Sequence, residues 1–318
     1  MKKALLVGIN AYPSAPLRGC LNDVEDWHSL LTTVGGFNAD NVRAVCDARA
    51  DTEGIRGRMD WLKEGISGPG DEVFFAYSGH GSQVRDRGPQ DELADHMDEI
   101  LCPYDLDWNM KVITDDDIGA WLKGFPPGVK ITVVLDCCHS GTGTRELRPP
   151  IENPHYKADR YLHPPIDIAL RADGMTKLKG VKLGPKIGMG RGWRKNNWRS
   201  SRAAPPRRFS WWSWLCHRCK PKPKPKPPEP KPQEKPSVNH VLISGCRSDQ
   251  TSADAFIDGR YNGALSRFLI NAIKDSPKAS VRIVQQTARE AILKAGYSQE
   301  SQLEGPDTLL NLPIFMGK

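Results

Sequence analysis

Two short stretches of this 318-residue chain carry side chains able to do covalent chemistry. In VFFAYSGHG, His80 directly follows an apolar run and lies between Gly79 and Gly81, which let the backbone turn sharply and a second chain approach closely. In TVVLDCCHSG, Cys138 follows another apolar run and precedes His139, Ser140 and Gly141. A thiol nucleophile needs an imidazole to take its proton and return it to the leaving amine, and the two need not be close in sequence. His80 and Cys138 are 58 residues apart. Cys137 competes for the same role, but alternation along a strand turns Asp136 and Cys138 to one side and Cys137 to the other, which makes Cys137 the packed thiol.

The elements that must position these groups are legible as periodicity. Near-continuous apolar runs at 3–9, 71–78, 130–135 and 240–244 predict strands buried on both faces, and 42–46 and 308–315 predict two more. Leu21, Val24, Trp27, Leu31 and Val34 fall on one face of a helix that Asn22 or Asp23 can cap. Segments 51–66, 115–123, 262–274 and 281–294 read as further helices. Strands alternating with helices predict an α/β fold, a mostly parallel sheet with helices on both faces. Reactive groups in such sheets gather beyond the carboxyl ends of the strands, where both His80 and Cys138 fall.

The net charge of +7 suggests a nucleic-acid or membrane partner until it is divided along the chain. Residues 142–237 hold 23 basic and 7 acidic residues and 16 of the 26 prolines, so a basic insert interrupts a body of net charge −9. The insert ends in PKPKPKPPEPKPQEKP, an extended spacer by composition. The expected organisation is 1–141 and 238–318 as two parts of one fold, with 142–237 a linker between them.

Four blocks in this order, LLVGIN with LRGCLNDVED, FAYSGHGSQ, VVLDCCHSG, and LISGCRSDQTSADA with YNGALSRFL, resemble the metacaspases and caspase-like cysteine peptidases, closest to type I metacaspases and their bacterial relatives. The resemblance covers about 3–141 and 238–318 and skips the insert. It implies a caspase-like fold, with His80 as general acid and base, Cys138 as nucleophile, and the backbone N–H groups of Gly81 and Cys138 as the oxyanion hole. It also implies that Asp23 and Asp136 form an acidic pocket, lined by Ser78 and Cys20, for an Arg or Lys side chain. The expected substrates are therefore proteins or peptides cut after Arg or Lys. Calcium is the cofactor implied, through Asp98, Asp115 and Asp116, although Arg145 stands where the family has a further aspartate. No organic cofactor is expected.

The acidic run of Asp91, Glu92, Asp95, Asp98 and Glu99 also reads as a solvated loop. Within the insert, Cys216, His217 and Cys219 lack the second ligand pair of a zinc finger. Trp211, Trp212 and Trp214 beside basic residues suit a membrane interface or stacked bases, but a linker docking on the body is favoured over both. No specific nucleic-acid partner is expected, and the chain is read as a monomer. The insert also supplies Arg and Lys residues that can fill the acidic pocket, which permits self-inhibition, and the resemblance implies autoprocessing there. No window is apolar enough to span a membrane, the scattered cysteines suit a reducing compartment, and the expectation is a cytoplasmic protein. The rival reading is a non-catalytic scaffold presenting the insert to a membrane, nucleic acid or protein.

Overall fold

Six strands side by side make the central sheet, in the order Gln302–Glu304, His240–Ser244, Lys130–Asp136, Glu72–Ser78, Lys2–Gly8 and Val42–Cys46. The computed structural model describes residues 1–85, 97–138, 157–165, 168, 240–247 and 250–317. Strands β1 (Lys2–Gly8), β2 (Val42–Cys46), β3 (Glu72–Ser78), β7 (Lys130–Asp136) and β9 (His240–Ser244) run parallel. Only β12 (Gln302–Glu304) at the edge is antiparallel in this sheet. The register sets Gly8, Ser78 and Asp136 in one row, so the sheet ends its parallel strands together.

Side-chain alternation divides the core into two layers. Leu5, Val7, Phe75 and Val133 face α2 (Thr52–Trp61) and α3 (Asp115–Lys123), where Ile55, Met59, Ile118 and Trp121 cover them. Ala4, Leu6, Phe74 and Val134 face α1 (Cys20–Thr33), α4 (Ala264–Asp275) and α5 (Val281–Lys294), through Trp27, Leu31, Leu269, Ile273 and Val284. Covering both faces explains why these strands read as unbroken apolar runs rather than alternating ones.

Three expectations fail. Asn22 and Asp23 do not cap α1, which starts after Gly19 without a side-chain cap, because Asp23 is buried and turned toward the strand ends; Val34 also falls off the buried face, 39% exposed. The predicted strand at 308–315 is instead a short helix, α6 (Asp307–Leu310), after Pro306, with only an isolated bridge at Pro313. Pro313 has no N–H to give a ladder, and Pro306 takes the N-cap position of α6, its carbonyl accepting from the N–H groups of Leu309 and Leu310.

Two smaller sheets flank the strand ends. One is β4 (Gly81–Arg85), β5 (Met97–Leu101) and β6 (Ile113–Thr114) in that order, all antiparallel. The other places β10 (Ala253–Ile257) between β11 (Arg260–Gly263) and β8 (Lys157–Asp159). Asp258 and Gly259 turn the β10–β11 hairpin with positive φ at both positions, the Asp-Gly signature of a tight two-residue turn. Residues 1–177 and 236–318 form one unit, and 178–235 a second that lies outside the described residues, as do Cys216, His217, Cys219 and the tryptophans at 211, 212 and 214. Within the 142–237 insert, β8 is thus a strand paired with β10 of the body.

Candidate active site

Ser78 and Asp136 end two neighbouring strands, and the chain turns out of each into the groups singled out above. After β3, the His80 N–H donates to the Tyr12 hydroxyl at 3.1 Å and the His80 carbonyl accepts from Cys102 N–H at 3.0 Å. Its ring lies 4.7 Å from that of Tyr12, and Nε2 lies 2.7 Å from the Ala15 carbonyl oxygen. A carbonyl can only accept, so the hydrogen sits on Nε2. After β7, Cys137 packs into the core layer with Val133 and Leu135, as alternation predicts, while Cys138 turns out of it. A Cβ on Gly81 would lie 2.1 Å from the Cys138 carbonyl oxygen, so the backbone next to His80 approaches that of Cys138 as only glycine allows.

Into this crevice the chain inserts a piece of itself. Arg160 is fully buried, and its carbonyl oxygen accepts from the N–H groups of both Gly81, at 2.9 Å, and Cys138, at 3.2 Å. Its own N–H donates to the Ser252 carbonyl at 3.0 Å. The Cys138 sulfur rests against Ser252, accepting from its N–H and lying 3.5 Å from its carbonyl oxygen. Burial pushes the Cys138 thiol up, and neighbouring Cys246 adds to it, so the proton stays on sulfur while the pocket is closed.

The Arg160 guanidinium lies among three carboxylates. Nη2 donates to Asp23 at 2.8 Å and to Asp254 at 3.0 Å; Nη1 donates to the Ser78 hydroxyl at 2.7 Å and the Asp136 carbonyl at 3.0 Å, with the Asp136 carboxylate 3.4 Å away. Ser78 passes its own hydrogen to Asp23 at 2.5 Å. Burial opposes the charge on Arg160, but the three surrounding carboxylates outweigh it and hold the guanidinium charged. Burial raises the Asp23 carboxyl to about 7, Arg160 draws it down, and Asp136 raises it again. All four predicted pocket residues, Asp23, Asp136, Ser78 and Cys20, are thus at this site. Asp254, within the TSADA block, is a pocket residue that the sequence reading did not assign. It is 1% exposed and accepts from the N–H groups of Arg18 at 2.8 Å and Gly19 at 2.9 Å. The Asp-Gly turn that makes its hairpin was the available signal.

The carboxylates expected to hold calcium lie apart from this pocket, Asp98 on β5 and Asp115 and Asp116 at the start of α3. Burial pushes the Asp115 carboxyl up to about 6, with Glu99 and Asp116 adding to the shift. Among the described residues no three Asp, Glu, His or Cys side chains converge to hold a metal ion, so these carboxylates alone do not build the site. Asp91, Glu92, Asp95, His139 and Arg145 lie outside the described residues. Among the described residues, no helix is long and apolar enough to cross a membrane.

Residues 2–145 match the family model of the metacaspase, peptidase C14 domain. Metacaspase-1 of Meyerozyma guilliermondii is 30% identical over 95% of this chain and 68% of its own length. Metacaspase-1 of Candida glabrata is 27% identical over 99% of this chain and 75% of its own. Among solved structures, protein GSU0716 from Geobacter sulfurreducens aligns with a TM-score of 0.60 at 22% identity, covering 99% of this chain and 98% of its own. Caspase-1 from Spodoptera frugiperda aligns at 0.51 and 10% identity, over 100% and 90% of the two chains. The fold is the caspase-like one that the motif order implied.

Proposed function

Since this chain belongs to the metacaspase family of C14 cysteine peptidases, we propose that it is an endopeptidase that cuts after Arg, and more slowly after Lys, through Cys138 and His80, and that its own Arg160–Tyr161 bond is a substrate. One observation carries the reading. Arg160 lies as the residue before a scissile bond would, its carbonyl oxygen between two backbone donors beside a cysteine and its side chain on buried carboxylates.

The reaction follows from that placement. Cys138 sulfur attacks the Arg160 carbonyl carbon, forming the C–S bond, and the charge that develops on oxygen is met by N–H groups already aimed at it. With hydrogen fixed on Nε2 by Ala15, the basic lone pair of His80 is on Nδ1; that nitrogen takes the thiol proton and delivers it to the Tyr161 nitrogen as the C–N bond breaks. Water then attacks the thioester, His80 accepts its proton, and the thiol is restored as the Arg160 carboxylate forms. The high proton affinity of the buried thiol suits a transfer concerted with attack rather than a standing thiolate.

Arg is preferred because two guanidinium nitrogens reach different carboxylates, which one ammonium cannot do. An Asp side chain would add a fourth negative charge to a buried cluster. Calcium stimulation belongs to the proposal through the hard-oxygen chemistry of Asp98, Asp115 and Asp116, with no step of the reaction routed through it.

The test compares wild type with Cys138→Ala and Cys137→Ala by mass spectrometry and with fluorogenic Arg, Lys and Asp substrates. Expected are a fragment ending at Arg160 in the wild type and Cys137→Ala only, and hydrolysis of Arg substrates about tenfold faster than Lys. Activity surviving Cys138→Ala, or equal cleavage after Asp, overturns the proposal. Turnover unchanged by EGTA removes calcium from it.

A further inference from the structure

We infer that the site also reads the substrate beyond the cut bond, taking an apolar residue two positions after the Arg by strand pairing with β4. This rests on Arg160 marking the position of the cleaved Arg. Before that residue, Lys157–Asp159 pair antiparallel with β10, and the Thr251 hydroxyl donates to the Asp159 carboxylate at 3.0 Å. At Tyr161 the chain changes partner and forms a parallel bridge with Gly81. Leu162 N–H then donates to the Gly81 carbonyl at 2.9 Å, and the Ser82 hydroxyl donates to the Leu162 carbonyl at 2.6 Å. The Leu162 side chain packs against the core layer that holds Leu101 and Cys137.

Three features make this a built subsite rather than a passing contact. Ser82 is fully buried, so an occupant without a carbonyl there leaves a hydroxyl needing another partner. Among the described residues β4 is the edge strand of its sheet, and the pairing of its Gly81 with Arg160 and Leu162 lies on that outer side, where an added strand docks. Gly81 donates to the Arg160 carbonyl and accepts from Leu162, so the residue that holds the developing oxyanion also holds the leaving segment. The substrate class is then an extended peptide with Arg before the bond and, two positions after it, an apolar residue that carries an N–H.

Full-length wild-type enzyme, allowed to complete self-cleavage, is assayed with YKADR–aminocoumarin, which ends at the bond, and with the quenched peptide YKADRYLHP, the sequence of residues 156–164. Three variants of the longer peptide replace leucine with aspartate, with proline, and with leucic acid, whose ester oxygen removes the N–H. One lost hydrogen bond corresponds to about a fivefold drop in kcat/KM, expected for the ester, with a larger drop for aspartate and for proline. Ser82→Ala is expected to lower the ratio of spanning-peptide to coumarin turnover about fivefold. If the coumarin substrate is cut while all four peptides are cut equally, the subsite is refuted and the Arg reading stands. If neither the coumarin substrate nor any peptide is cut, the underlying Arg reading fails with it.

Discussion

Asp254 draws two helix-start N–H groups and one guanidinium nitrogen onto a single buried carboxylate, so it holds both the floor of the pocket and its occupant. Asp254→Asn keeps the shape and removes the charge; a charge-assisted bond is worth about 1.5–3 kcal/mol, so kcat/KM for Arg substrates should fall by about tenfold to a hundredfold. Steady-state kinetics on Arg and Lys substrates checks this, and an unchanged Arg rate would remove Asp254 from recognition. Arg160→Ala has the opposite electrostatic effect on the folded chain, leaving Asp23, Asp136 and Asp254 buried without their cation. Losing one partner of a buried ion cluster costs about 3–5 kcal/mol near neutral pH. The pH dependence has a definite sign. Carboxyl groups whose folded-state pKa is raised bind more protons folded than unfolded, so stability is lost as pH rises from the usual carboxylate range through the raised values. Denaturant melts of Arg160→Ala should therefore show higher stability at pH 5 than at pH 8, with a weaker trend in Cys138→Ala, which keeps Arg160.

Helix starts explain how so many carboxylates are tolerated in one place. Both α1 and α4 begin at glycines, Gly19 and Gly263, that offer no side-chain cap. Carboxylates from elsewhere take that position: Asp254 accepts from Gly19 N–H, and Asp136 accepts from Ser266 N–H at 2.7 Å in the first turn of α4. The positive ends of two helices thus face buried carboxylates, which offsets part of the cost of burying them. A Cβ on Gly263 would lie 2.2 Å from the Asp136 carboxylate and 2.4 Å from Nη1 of Arg160. Gly263→Ala should cost the Arg site about tenfold to a hundredfold in kcat/KM by overpacking, checked beside a melt showing that the fold persists. The parallel strands and long helices were legible because burial imposes a period on them. The strand at 308–315 misled because Leu309, Leu310, Leu312 and Ile314 are apolar enough for either element, and Pro306 before the run and Pro313 within it decide between them. Asp23 looked like a cap because polar residues near a helix start usually are; a pocket assembled from other elements leaves no local trace.

At the scale of the whole molecule, the division into an acidic body and a basic insert was visible in the composition, but the point where they join was not. Arg160 is one of 23 basic residues between 142 and 237, and nothing beside it in the sequence distinguishes it from the others. Only the three-dimensional meeting of α1, β7 and β10 selects it. Within the stretch read as a linker, Lys157–Asp159 form a strand that pairs with β10. That strand has a consequence for the proposed self-cleavage. A C-terminal Arg160 freed by it would stay tethered through β8 to β10, and so would compete with substrate at the effective concentration of a linked ligand, of order millimolar for a short tether, however dilute the enzyme. Cutting and switching on would then be separate events, the second requiring the arginine to leave. Treating cleaved enzyme with carboxypeptidase B, which trims a terminal arginine, should raise the rate on low concentrations of Arg substrate and lower the apparent KM, with kcat little changed. An enzyme no faster after trimming would mean that the tether lets go as soon as the bond breaks.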